Sequence, residues 1–187
     1  MVVHQEGEEA LVFKYSVDLD ATRIKRYAIS AYLWHNKHKK FQSRAVDVLL
    51  DTGAFNTIVH KPLVSQGYGV FLKQKMTIAI GGYKGDADLC VLHKLKVGGL
   101  VMEQVMALAL PLDGELKEHI ILGANVTNHW RFEVSRRDNR LYFTEEFSKM
   151  PLAGNFPLPF PYRYCFNREG IMAFQTDLEH GVDESNW

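Results

Sequence analysis

The stretch Val48-Leu49-Leu50-Asp51-Thr52-Gly53-Ala54-Phe55-Asn56-Thr57-Ile58-Val59 decides the fold. An apolar strand carries an acid into a tight turn made by a hydroxyl residue and a glycine, and a second apolar strand leaves it. An Asp at such a point lies beside apolar neighbours yet within reach of the turn's backbone N–H groups. Gly53 lets the chain double back, so the carboxylate can face a second carboxylate. A hydrogen bond from the Thr52 hydroxyl would lock the turn. These are the requirements for a carboxylate held rigidly for acid–base work. On its own, Asp-x-Gly is also ordinary turn chemistry.

Outward from this segment the chain reads as many short strands. Tyr27 to Leu33 and Phe41 to Leu50 are rich in aromatic and branched residues and flank the polar break His35-Asn36-Lys37-His38-Lys39-Lys40, the pattern of a β-hairpin. Upstream, Leu11, Phe13, Tyr15 and Val17 alternate as in a strand. Downstream, Lys61 to Gly67 fits one short helical turn, with Pro62 near its start and Gly67 near its end. Met76 to Ile80 is extended and stops at Gly81-Gly82. Leu89 to Val97 and Val101 to Leu110 form a hairpin around Gly98-Gly99. Ile120-Ile121-Leu122 is a buried strand, Asn125 to Trp130 a short helix, and Trp130 to Thr144 a hairpin turning at Asp138-Asn139. The expected class is all-β.

The order of these segments resembles the retropepsin-like aspartic proteases, the single-lobe relatives of the pepsins. Their first signature is matched by Leu49-Leu50-Asp51-Thr52-Gly53-Ala54 with Thr57. Their second, an apolar pair followed by Gly, is matched by Ile120-Ile121-Leu122-Gly123-Ala124-Asn125. Between them Lys75 to Tyr83 has the composition of the hairpin flap that covers substrate in that family. The resemblance spans about residues 26–146 and implies a closed antiparallel β-barrel with one or two short helices. Residues 1–25 then form an N-terminal extension and 147–187 a C-terminal arm. In that arm Pro151, Pro157, Pro159 and Pro161 mix with Phe156, Phe160, Tyr162, Tyr164 and Phe166, a composition unsuited to a central strand.

The resemblance further implies an aspartic endopeptidase with Asp51 as catalytic residue and Thr52, Gly53 and Ala54 as its turn. Ile80, Gly81 and Gly82 would hold substrate in the flap, and Leu122 and Gly123 would support the turn from behind. Pepsins carry two such motifs in one chain, whereas this chain has one. Leu112-Asp113-Gly114 lacks the hydroxyl residue and is not a second copy. The implied active form is therefore a homodimer in which each chain gives one Asp51. Viral members often pair an acid after the first motif with an Arg after the later Gly at the dimer interface. Here Phe55 and Ala124 stand at those positions. The alternative to an enzyme is a retropepsin-like module that binds peptides or dimerises without turnover.

With 187 residues, 22 basic and 22 acidic side chains, the chain has the size of one domain with extensions and no net charge. That balance removes the electrostatic argument for a nucleic acid or an anionic membrane partner. No cofactor is implied, and a peptide or protein is the expected substrate. The acidic N-terminus does not read as a secretory signal, and the longest apolar stretch, Val105 to Leu112, is too short to span a bilayer. A soluble cytoplasmic protein is expected. His35 and His38 have metal-compatible spacing but no acidic or cysteine companion, and read as a solvated turn. Cys90 and Cys165 read as reduced, buried thiols.

Overall fold

The computed structural model describes residues 12–22, 27–80, 83–112, 119–146 and Tyr164. Its strands are β1 (Tyr15–Asp18), β2 (Tyr27–His35), β3 (Lys40–Phe41), β4 (Val46–Leu50), β5 (Ile58–His60), β6 (Gly69–Ile80), β7 (Tyr83–Val97), β8 (Leu100–Leu110), β9 (Ile120–Leu122), β10 (Trp130–Ser135) and β11 (Arg140–Glu145). The short helices α1 (Lys61–Leu63) and α2 (Ala124–Thr127) complete the set, and a turn at Val64–Tyr68, kinked at Gly67 with φ +96°, follows α1.

Six strands close a barrel in the order β2-β4-β9-β5-β8-β7, because β7 pairs back onto β2 through Ala31↔Val97, Tyr32↔Lys96 and Leu33↔Leu95. Closure leaves these strands without a bare edge. Most pairings are antiparallel as expected, but β4–β9 and β5–β8 run parallel. Each parallel pair takes one of the two strands flanking the Asp51 turn: β4 pairs with β9, the strand that precedes Gly123, and β5 pairs with β8. Strands of this kind are buried on both faces and therefore read as continuous apolar runs. Val48 and Leu50 join the large barrel core, while Leu49 between them joins a second cluster with Ile58, Leu108 and Ile121. Successive side chains point to opposite faces, so one apolar run supplies both clusters.

Several boundaries differ from the sequence expectation. The run from Phe41 to Leu50 is broken into β3 and β4, both pairing with β2, and Gln42 N donates to Leu33 O across the break at 3.0 Å. The strand expected to begin at Met76 begins at Gly69, since its partner β7 is a 15-residue strand that pairs with Gly69–Phe71 as well as with Lys75–Ile80. Their register shifts between Phe71 and Lys75, an irregularity that sequence periodicity does not signal. The N-terminal strand forms only over Tyr15–Asp18, and Leu11 lies outside the described residues.

β1 pairs with β11, and β11 with β10, in a second, three-stranded sheet. Tyr15 and Trp130 both pack on Phe143, with ring centroids 5.5 and 4.5 Å away. The sheet is tied to the barrel at the Gly98 turn, where a Cβ would lie 2.4 Å from Ser16 O and φ is +55°. Only glycine permits that approach and that backbone angle together.

Two buried histidines face this architecture from within. His93 is 6% exposed and His129 1%. Burial lowers both to a pKa of about 4, with Lys39 and His35 adding to the effect at His93. Unfolded histidine titrates near 6.5, so between about pH 6.5 and 4 the unfolded chain binds more protons than the folded one. Stability is therefore full above the unfolded pKa and falls as the pH drops through that window. Urea unfolding between pH 7 and 5 should show a midpoint that declines with acidity, by up to about 1.4 kcal/mol per pH unit for each histidine. His93→Gln should flatten the dependence.

Candidate active site

Asp51 stands directly after β4, with its backbone N–H donating to Leu122 O on β9 at 3.1 Å. Gly53 N donates to Asp51 Oδ1 at 2.9 Å, and Ala54 N donates to Asp51 O at 3.2 Å. The carboxylate is thus held by its own turn, with its outer surface half-buried and facing a cleft of about 410 Å³. Asp51, Gly53, Ala54, Phe55, Asn56, Ile58, Ile78, Ala79 and Leu108 line that cleft. Asp51 is the one carboxylate among these lining residues.

The turn is locked from behind, and by a different threonine from the one expected. Thr52 is exposed. Thr57, fully buried, donates through both its N–H and its hydroxyl to Asn125 Oδ1, at 2.7 and 2.8 Å. Its Oγ1 also accepts from Gly123 N at 3.2 Å. The backbones of the two loops join beside it, Ala124 N to Ala54 O at 2.7 Å and Asn125 N to Phe55 O at 3.2 Å. Such closeness is possible because residue 123 has no side chain. A Cβ there would sit 2.4 Å from both Asn56 C and Asn56 O. Leu122 O takes the Asp51 backbone N–H, and Gly123 lies against Asn56 and Thr57.

The β6 arm of the β6–β7 hairpin approaches the same cleft. Ile78 and Ala79 line it together with the Asp51 turn, and Asn56 Nδ2 contacts Met76 Sδ at 3.9 Å. Of the residues assigned to the flap tip, Ile80 ends β6 opposite Tyr83, and Gly81 and Gly82 lie outside the described residues. Sequence composition located the hairpin but not Ile78 and Ala79 as its contact with the cleft. The alternation from Met76 to Ile80 carried that signal only once the register with β7 was known.

Phe55 is 85% exposed, at the position where viral members often carry an acid, and Ala124 is partly covered. The other singled-out side chains lie elsewhere. The rings of His35 and His38 meet at a tilt with centroids 4.2 Å apart, and His35 Nδ1 accepts from His38 N at 3.3 Å. Among the described residues no group of three or more His, Cys, Asp or Glu could hold a metal ion. Cys90 is buried and donates to Ala107 O, and burial pushes its thiol well up, with Asp88 adding to the shift. A thiol kept protonated in this way is not a nucleophile.

The aspartyl protease family model matches residues 39–126, a segment that includes the Asp51 turn and Gly123. That match bears out the resemblance to the retropepsin-like aspartic proteases. Among solved structures, the chain is similar to a retropepsin-like aspartic protease from Rickettsia conorii, at 16% identity and a TM-score of 0.47, over 68% of this chain and 87% of that one. It is also similar to the retroviral protease-like domain of Ddi1 from Leishmania major, at 14% identity and a TM-score of 0.38, over 75% and 100% of the two chains. No curated protein matches the sequence.

The clasp makes two expectations measurable in folded protein. Thr57→Val leaves Gly123 N without its acceptor and should cost about 1–3 kcal/mol in urea unfolding. Gly123→Ala should cost about 3 kcal/mol or more, since the added methyl meets rigid backbone. Wild-type stability in either variant would contradict the geometry.

Proposed function

We propose that the chain is an aspartic endopeptidase whose active form is a homodimer. The observation that carries this reading is the single Asp51 carboxylate at the cleft, held by Gly53 N while the Asp51 backbone N–H is tied to Leu122 O. One such carboxylate is half of an acid–base pair. A twofold axis through the cleft mouth would bring a second Asp51 from another chain. Two carboxylates about 3 Å apart cannot both ionise readily and share a proton.

In that dimer the ionised carboxylate takes a proton from a water lying between the pair, and the oxygen attacks the scissile carbonyl. The protonated carboxyl polarises the carbonyl and stabilises the tetrahedral oxyanion. Transfer of a proton to the amide nitrogen then breaks the C–N bond and releases an acid and an amine. The peptide lies extended between the Asp51 turns and the β6–β7 hairpins, as an added strand. The apolar lining from Ile58, Ile78, Ala79 and Leu108 would exclude water from the reacting bond. At the dimer contact, exposed Phe55 and partly covered Ala124 would replace an ionic pair by apolar side chains. Losing both charges together avoids leaving one buried and unpaired.

Peptide-library cleavage near pH 5 and pH 7 tests the reading. Asp51→Asn should lower activity about a thousandfold or more, and specific activity of the wild type should fall on dilution as dimers separate. Cleavage that survives the substitution would eliminate the mechanism. Absence of cleavage by wild-type dimers would leave a peptide-binding module instead.

A further inference from the structure

We propose that Tyr164 is a positioning residue for the Asp51 turn, acting from the C-terminal arm through Met106 and Asn125; its effect on turnover rests on Asp51 being catalytic. β5 begins at Ile58, and Thr57 O accepts from Leu108 N at 2.9 Å just ahead of it. Two residues earlier on β8, Met106 N lies ahead of the start of β5. Tyr164 O supplies the acceptor there, at 3.1 Å. Residue 164 thus continues the line of hydrogen bonds along β8 where β5 has not yet started.

The same carbonyl bears on Asn125. Asn125 Nδ2 donates to Met106 O at 3.0 Å and reaches Tyr164 O at 3.5 Å. The opposite edge of the amide, Oδ1, accepts from Thr57 N and Thr57 Oγ1. The amide therefore presents its NH₂ edge to two carbonyls and its oxygen to two donors. A flipped amide would set donors against the Thr57 donors and an acceptor against the carbonyls. Tyr164 O and Met106 O together fix the orientation that locks Thr57, which in turn holds the loop six residues beyond Asp51.

The Tyr164 side chain anchors its own backbone. It is 3% exposed, its ring meets His129 edge-on with centroids 5.5 Å apart, and its hydroxyl bonds to the Glu145 carboxylate. His129 follows α2, and Glu145 ends β11, so the anchor grips the second sheet while the carbonyl grips the barrel. None of these contacts is with the residues lining the Asp51 cleft. Tyr164 therefore acts behind the turn, a place suited to bracing it and not to blocking it.

The test uses the full chain and three variants. Tyr164→Ala removes the anchor, Tyr164→Phe keeps the ring and the carbonyl, and Tyr164→Leu keeps only an apolar anchor should the alanine variant fold poorly. Amide hydrogen exchange is the first readout. In Tyr164→Ala, or Tyr164→Leu, the Thr57 and Met106 amides should exchange about tenfold faster, the scale of one lost hydrogen bond. Core amides of β7 such as Val91 should stay unchanged, and Tyr164→Phe should stay near wild type. Equal acceleration everywhere, or no acceleration at Thr57, would overturn the proposal. In the peptidase assay kcat should fall about tenfold with KM within about twofold, because a loosened turn misplaces the reacting group more than it weakens strand addition. Wild-type kcat in a variant with fast Thr57 exchange would overturn the catalytic part. If the wild type cleaves no peptide, the catalytic reading of Asp51 fails while exchange still decides the brace.

Discussion

The structure depends most on the clasp between two loops that are distant in sequence. Thr57, Gly123 and Asn125 meet where the chain leaves the Asp51 turn and where it enters α2. Every polar edge is used: the Thr57 hydroxyl donates once and accepts once, and the Asn125 amide is engaged on both sides. In an interior without water, each such group left unmatched would cost more than the bond itself gains. The clasp can exist only because Gly123 lets two backbones approach to a separation that any side chain would prevent. It sits where the parallel pair of β4 and β9 ends, directly behind the Asp51 turn.

A carboxylate used for acid–base chemistry must be immobile while staying accessible. Here the two demands are met by different parts of the chain. The carboxylate itself receives one backbone N–H and faces the cleft, while rigidity comes from the buried network behind it. The second sheet extends this support. β10 and β11 lie next to α2 in sequence, and Tyr164 joins them to β8. The region beyond the barrel is thus structurally continuous with the turn.

Much of this was legible in residues alone. Asp51-Thr52-Gly53 followed by Thr57, and Ile121-Leu122-Gly123 followed by Asn125, mark both loops, and an apolar run before each marks a strand buried on both faces. The hairpins at Gly98 and Asn139 were marked by their turn residues, and both positions have positive φ. The division of labour between Thr52 and Thr57 was not legible, since both are threonines in the same loop. Only burial separates them: one is at the surface and the other is fully enclosed. The early start of β6 was also hidden, because residues 69–75 lack a consistent alternation and gain strand geometry from β7.

What the sequence by itself determined is local: an acid in a glycine turn after a buried strand, a second loop with a glycine after a buried strand, and glycine or asparagine at the hairpin tips. These follow from steric limits on the backbone and from hydrophobic period, which act between near neighbours. What only the tertiary structure decided is which distant groups satisfy one another. That Asn125 takes Thr57, that Ile78 and Ala79 share a cleft with Asp51, and that Tyr164 completes the edge of β8 depend on chain crossings over tens of residues. A hydrogen bond across such a separation leaves no periodic trace, since its partners are chosen by the path of the backbone and by the cost of leaving a buried donor or acceptor unpaired.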